Sequence, residues 1–113
     1  MLRVAMSGFF TVECVGRYRT AIDAATAELG GPPDAQVMVN DISAMSIQSQ
    51  EIVDAFRAVM ADPRYAERRV GFVVSSTLAR SQLARVIGGR TARMFATAEE
   101  AEAWLSGREP LAA

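Results

Sequence analysis

Residues 37–53, VMVNDISAMSIQSQEIV, contain a strand pattern, a polar turn and the start of a helix pattern in immediate succession. Residues 37–39 form a short continuous apolar run, which is typical of a strand that is covered on both faces. Asn40-Asp41 and a serine-rich loop end this run. From Ile52 to Met60, apolar residues then recur three or four positions apart, as on one face of a helix. This stretch therefore predicts a strand, a loop and a helix.

The same succession repeats along the rest of the chain. We predict strands over 2–7, 37–40, 70–74 and 91–95, and helices over 12–29, 52–60, 79–87 and 98–106. Strands that alternate with helices indicate crossover connections and a sheet that is mostly parallel or mixed. The predicted fold is an α/β sheet of about four strands with about four helices packed on it. We expect one domain over residues 1–113, with a frayed tail over 108–113.

The composition excludes several kinds of chemistry. The chain of 113 residues has no histidine, and all of its basic residues are arginine. Ser-His-Asp catalysis, metal sites built on histidine and Schiff-base chemistry on lysine are therefore excluded. We expect neither an enzyme nor a bound cofactor. Cys14 is the only cysteine, which rules out an internal disulfide and favours a reducing, cytoplasmic location.

Charge and hydropathy narrow the classes of partner. The formal net charge is -1 at pH 7 and the sequence has no basic block, which argues against nucleic acid. No apolar stretch approaches the ~20 residues that a membrane-spanning helix needs. We therefore expect the partner to be a protein or a small ligand.

Polar residues follow two of the predicted buried strands at the point where each strand ends. Carboxyl ends of parallel strands meet at one edge of a sheet, where ligands usually bind in open α/β folds. Helix N-termini that begin there attract anions through free N–H groups and the helix dipole, and Arg80 would add a bidentate donor. The candidate binding residues at this edge are Asp41, Ser43, Ser46, Ser49, Glu51, Ser75, Ser76, Thr77 and Arg80.

These residues also have a purely structural interpretation. Serine, threonine and aspartate at helix starts are ordinary N-caps, each worth about 1 kcal/mol. Glu51 lies in a first helical turn, where the dipole favours a carboxylate whatever the function. Only the convergence of these residues on one edge favours binding over capping.

Three stretches of the chain resemble the STAS-type, SpoIIAA-like family, which has the fold of anti-sigma-factor antagonists and includes a STAS/SEC14-like branch. VMVNDISAMSIQSQEIV is similar to the family's buried strand, D-x-S turn and helix. RRVGFVVSSTLARSQLARVI is similar to the next strand, polar loop and helix, and MFATAEEAEAWL to the final strand and helix. The resemblance covers residues 2–106. It implies a mixed or parallel sheet with helices packed against it, and binding and regulation rather than catalysis.

In the anti-sigma-factor antagonists, phosphorylation of a serine at the start of the helix after the D-x-S turn controls partner binding. In our alignment, the aspartate of that motif falls on Ser49 and the phosphoacceptor on Glu51, where a carboxylate would imitate a permanently modified state. A shift of the loop by two residues would restore Ser49 as the acceptor. The alignment also leaves this chain one strand short at its N-terminal end.

The leading functional hypothesis follows from these residues and this resemblance. A non-enzymatic STAS-like domain would engage a protein partner or a small anionic ligand through loops 41–51 and 75–80. A homodimer would also suit the chain, because an edge strand over 91–95 leaves backbone groups to be paired or covered.

Two alternatives remain open. The domain would carry a small apolar or amphipathic ligand, as the SEC14-like comparison suggests, in a pocket lined by Phe9, Phe10, Tyr18 and Phe72. In the other alternative, a hydrolase-type enzyme would use Asp41 as its base.

Overall fold

The computed structural model describes residues 1–32, 35–65, 68–87 and 92–107. Strands and helices alternate throughout this part of the chain, which confirms the predicted α/β fold class. The strands are β1 (Leu2–Gly8), β2 (Met38–Met45), β3 (Val70–Val73) and β4 (Ala92–Phe95). The helices are α1 (Val12–Leu29), α2 (Gln50–Met60), α3 (Thr77–Ile87) and α4 (Ala98–Leu105). The predicted frayed tail, residues 108–113, lies outside the described residues.

The strands form one parallel sheet in the order β1-β2-β3-β4. Each connecting helix carries the chain to the neighbouring strand, always in the same direction. Crossovers of one hand that advance in one direction place their helices on one face of the sheet. The helices α1, α2 and α3 accordingly pack side by side over one core. The last helix, α4, packs against β2, β3 and β4 over a second core on the opposite face.

Alternation along the strands divides the apolar side chains between these two cores. On β2, Met38 faces the layer formed by α1, α2 and α3, whereas Val39 faces α4. The core under α4 is closed by Trp104, whose ring centroid lies 5.7 Å from that of Phe95. Both aromatic residues are buried.

β2 extends further than the sequence predicted. The predicted strand 37–40 ended with the apolar run, but the observed strand continues to Met45 and pairs with β1 as far as Gly8. Asp41 and Ser43 lie in this extension with their side chains partly or fully exposed. The apolar run therefore marks only the part of β2 that is covered on both faces, and the strand itself continues beyond it.

α4 approaches the sheet closely at Gly71. A Cβ at this position would lie 3.1 Å from the Cβ of Ala101 and 3.5 Å from Cδ1 of Leu105. Ala101 is fully buried. The small residues at positions 71 and 101 therefore set the distance between β3 and α4.

We expect Gly71→Val to destabilise the protein by about 1–3 kcal/mol, because the added atoms overpack the contact between β3 and α4. Gly16→Ala is the control, since nothing lies within 4 Å of the position that a Cβ would take at this point of α1. The control change should stabilise the helix by about 0.5–1 kcal/mol. Urea unfolding measures both effects, and an unchanged stability of Gly71→Val would contradict the close approach.

A buried arginine links α1 to the segment before β3. Arg68 is 1% exposed, and its guanidinium donates to Thr26 Oγ1 at 2.9 Å. The same guanidinium lies over the ring of Tyr65, 4.4 Å from the ring centroid. This contact closes the core at the amino ends of the strands, and nothing in the sequence pattern predicted it.

Asp62 is a buried acidic residue in the turn that follows α2. Its carboxylate accepts hydrogen bonds from Arg64 at 2.8 Å and from Arg19 at 2.9 Å. The hydrogen bonds from Arg64 hold the pKa of Asp62 well below its usual range, and the positive charge of Arg19 acts in the same direction. The ionised carboxylate therefore stabilises the folded chain.

Because the pKa of Asp62 is lower in the folded chain than in the unfolded chain, its stabilising effect is complete above the ordinary aspartate pKa of about 4 and is lost as the pH falls below that value. We expect Asp62→Asn to lower the melting temperature at neutral pH, and the difference from wild type to shrink progressively in acid. Asp54→Asn, which removes an exposed ion pair with Arg57, should change the stability by less than about 1 kcal/mol. A difference for Asp62→Asn that stayed constant from neutral pH to about pH 2 would contradict this account.

Candidate functional site

A cavity of about 60 Å³ lies between the sheet and the layer formed by α1, α2 and α3. Its buried walls are mainly apolar and include Phe72 from β3, Val53 from α2 and Leu83 from α3. The lining reaches the surface at the carboxyl edge of the sheet, where Ile47 is 43% exposed. The space is therefore a pocket with an apolar interior and an opening beside the β2–α2 loop.

Asn40 is the polar residue in the buried wall that the sheet provides. It is 2% exposed, and its Nδ2 donates to the hydroxyl of Tyr18 at 2.9 Å. Its Oδ1 has no hydrogen-bond partner among the residues that the structure describes. A buried acceptor without a partner costs about 1–3 kcal/mol, so this oxygen is a point where a bound molecule would gain a hydrogen bond.

Gln48 holds together the loops around the opening of the cavity. Its Oε1 accepts from the backbone N–H of Phe10 at 2.9 Å, and its Nε2 donates to the carbonyls of Gly8 at 3.0 Å and Ser46 at 2.6 Å. Its backbone N–H donates to Oε1 of Gln82 at 2.8 Å, and its carbonyl accepts from Nε2 of the same residue at 2.7 Å. Through its side chain and its backbone together, this one buried residue joins the end of β1, the loop after β2 and α3 at the edge where the cavity opens.

We expect Gln48→Leu to destabilise the protein by about 1–3 kcal/mol, because it leaves a partly buried N–H and two carbonyls without their side-chain partner. Gln50→Leu is the matched control, since Gln50 is exposed and its amide donates to Oδ1 of Asp54 across a turn of α2. The control should stay within about 0.5 kcal/mol of wild type. Equal stabilities of the two variants in urea unfolding would contradict the structural role of Gln48.

Among the predicted binding residues, the group at the end of β2 lies at the expected edge. Oδ1 of Asp41 accepts hydrogen bonds from the N–H of Ser43 at 3.0 Å and from its hydroxyl at 2.6 Å. The hydroxyl of Ser75 donates to the carbonyl of Ser43 at 3.0 Å, so the ends of β2 and β3 lie side by side. Asp41 is on the α4 side of β2, opposite to Asn40, and does not line the cavity. Ser46 does line it.

The remaining predicted residues lie at helix starts. Ser49 and Ser76 act as N-caps, since their hydroxyls accept from the backbone N–H of the residue three positions on, at 3.4 Å and 3.1 Å respectively. Glu51, Thr77 and Arg80 are exposed in the first turns of α2 and α3. The hydrogen bonds of these two serines are therefore those of ordinary helix caps.

The aromatic pocket predicted for an apolar ligand is present in part. Tyr18 and Phe72 line the cavity. Phe10 instead packs against Phe56 with ring centroids 5.5 Å apart, and Phe9 is 78% exposed. Two of the four predicted aromatic residues therefore line the cavity, whose third aromatic residue, Phe56, was not among them.

No protein-family model matches the chain, and no curated protein matches it. None of the helices within the described ranges is both long and apolar enough to cross a membrane. Nor do three or more histidine, cysteine, aspartate or glutamate side chains come together as metal ligands in this part of the chain.

The charges around the carboxyl edge are mostly negative. The first turns of α1, α2 and α4 carry the carboxylates of Glu13, Glu51, Glu99 and Glu100. Arg80 is the cation in the first turn of α3. Carboxylates at these positions interact favourably with the helix dipoles. They therefore weaken the attraction that this edge would otherwise have for an anion.

Large exposed apolar side chains also lie at this edge. Phe9, Ile47 and Leu78 belong to the segments that follow β1, β2 and β3, and each is exposed. Ile47 lines the cavity, and Leu78 precedes Ala79, which lines it as well. A large apolar side chain is thus exposed after each of these three strands.

Cys14 has a reactive environment that the sequence did not predict. Its thiol lies in the first turn of α1 and accepts hydrogen bonds from the hydroxyl of Thr11 and from Arg17, both at 3.2 Å. These contacts, that of Thr11 above all, lower the pKa of the thiol to about 7. Both hydrogen bonds therefore favour the thiolate form of Cys14.

The most informative residues of the cavity were absent from the predicted site. Asn40 lies in phase with Met38 and Ile42, which both face the helix layer, so a polar residue at a buried position was visible in the sequence. Gln82 lies three positions after Ala79 on the buried stripe of α3 and was visible in the same way. Gln48 follows no periodic pattern, because it lies in a loop.

Proposed function

We propose that this chain is a non-enzymatic binding domain that holds a small, largely apolar ligand in the cavity between the sheet and α1, α2 and α3. The observation that supports this most directly is the cavity itself, which has an apolar interior and reaches the surface at the carboxyl edge. Apolar pockets with a few placed polar groups are the usual form of small-molecule sites. Of the hypotheses drawn from the sequence, this proposal corresponds to the carrier of an apolar ligand and not to the domain that binds an anion.

The charges support an uncharged ligand over an anion. No charged side chain is among the described residues that line the cavity. Outside it, the first-turn carboxylates outnumber Arg80, and the serine caps already accept hydrogen bonds from helix N–H groups. An anion at this edge would meet repulsion and few free donors.

A regulatory role in the manner of the STAS-type, SpoIIAA-like family is our second proposal. The parallel sheet with a helix after each strand agrees with what that resemblance implies. The exposed Phe9, Ile47 and Leu78 support a protein partner at the carboxyl edge, because clustered apolar surface commonly marks an interaction site. Binding of the ligand and of the partner would then share one edge, in the reducing cytoplasm that the single Cys14 favours. We also propose that the chain forms a homodimer, because an edge strand leaves backbone groups that a second copy could pair.

The decisive experiment fills the cavity from α3. Ala79 lines the cavity, whereas Ala84 lies on the exposed side of the same helix. We expect Ala79→Phe to weaken the binding of toluene, used as an apolar probe, at least about tenfold by occupying its space, and Ala84→Phe to leave binding unchanged. The readout is the NMR signal of the methionine methyl groups, since Met6, Met45 and Met60 line the cavity.

Met1 and Met94 do not line the cavity and provide the internal reference in the same spectra. Toluene should shift the three lining methyl signals and leave these two unchanged. Native mass spectrometry of the freshly purified protein gives an independent measurement, because a retained small molecule would be lost from Ala79→Phe. Equal toluene binding by both phenylalanine variants, or shifts confined to Met1 and Met94, would refute the proposal.

A further inference from the structure

We propose that Asn40 makes the cavity selective for uncharged ligands that carry a hydrogen-bond donor, of which alcohols and phenols are the simplest class. This inference rests on the proposed function, since it assigns the polar end of the ligand to a particular atom. That atom is Oδ1 of Asn40, which is buried in the cavity wall and lacks a partner among the described residues.

The other polar group of the Asn40 amide, Nδ2, is held by a hydrogen bond. Nδ2 of Asn40 donates to the hydroxyl of Tyr18 at 2.9 Å, and Tyr18 is itself held against Phe56 with ring centroids 5.7 Å apart. In this orientation Nδ2 is hydrogen-bonded to Tyr18, and Oδ1 is left without a partner among the described residues. An acceptor that is held rigidly in an apolar site gives orientation and selectivity to a bound donor.

The surroundings of Asn40 exclude an ionised ligand group. The other polar residues that line the cavity are uncharged: Tyr18, Ser46, Gln48 and Gln82. A carboxylate or an ammonium group next to Asn40 would lose its hydration without gaining an opposite charge, which is costly in a buried site. A hydroxyl group loses much less hydration and satisfies Oδ1 directly.

The size of the cavity limits the rest of the ligand. Its volume of about 60 Å³ is less than half of the ~150 Å³ that accommodates benzene in an engineered apolar cavity. The enclosed part would hold the polar end and a few carbon atoms, and the remainder would extend towards Ile47 at the surface. The flexible side chains of Met6, Met45 and Met60 line the space and can adapt to the shape of a ring.

The experiment compares probes of one shape with different polar groups on the wild-type protein. Phenol offers a donor, benzaldehyde only an acceptor, benzoate a charge and toluene none of these. Because phenol is better hydrated than toluene, a purely apolar cavity would prefer toluene. We expect phenol to bind at least as tightly as toluene, and benzaldehyde and benzoate to bind more weakly, in titrations followed by the methyl signals of Met6, Met45 and Met60.

The variant Asn40→Leu tests the assignment to this side chain. The ratio of phenol affinity to toluene affinity should be at least about tenfold lower in Asn40→Leu than in wild type, because phenol loses one buried hydrogen bond in the variant. Gln50→Leu makes the same chemical change at an exposed position outside the cavity and should keep the wild-type ratio. The wild-type probe series does not depend on how well Asn40→Leu folds.

The outcomes separate the two proposals. If toluene and phenol bind and the ratio is the same in wild type and Asn40→Leu, or if benzaldehyde exceeds phenol in wild type, the role of Asn40 is refuted while the cavity remains a binding site. If neither phenol nor toluene shifts the lining methyl signals, the cavity holds no ligand and both proposals fail. A water molecule as the sole occupant of the site would give this last result.

Discussion

The burial of β2 on both faces is the constraint on which the rest of this structure depends. A strand inside a parallel sheet gives alternate side chains to the two layers that cover it. Met38, Asn40 and Ile42 face the three-helix layer, whereas Val39 and Asp41 face the side of α4. A slip by one residue would bring Asp41 into the helix layer and remove Asn40 from the cavity. Pairing with strands on both sides fixes the register that prevents this.

The element order and the sheet class were predictable from the sequence, because periods of two and of three to four residues are local properties. The face on which α4 packs was not. Its apolar stripe of Ala101, Trp104 and Leu105 requires a partner surface, but it does not say on which side of the sheet that surface lies. Gly71 allows Ala101 to approach β3 on the observed face, and a contact between positions so far apart leaves no local pattern.

The carboxyl edge was predictable for a different reason, since topology alone brings the ends of parallel strands together. The hydrogen bond from Ser75 to Ser43 joins the loop after β3 to the end of β2, two segments that are distant in sequence, as that argument requires. The cavity was not predictable in the same way, because it is space left between side chains of three helices and the sheet. Its polar group was nevertheless marked in the sequence, since Asn40 interrupts an apolar phase that Met38 and Ile42 define.

The two sets of polar groups at this edge differ in how far they are satisfied within the chain. Ser49 and Ser76 cap their own helices, and the first-turn carboxylates interact with the dipoles of α1, α2 and α4. An external anion would compete with these groups at the very sites that make helix starts attractive to it. Asn40 has no such internal competitor among the described residues at its Oδ1. Under the proposed function, a ligand would therefore gain most where apolar burial and this one acceptor act together, inside the cavity rather than at its opening.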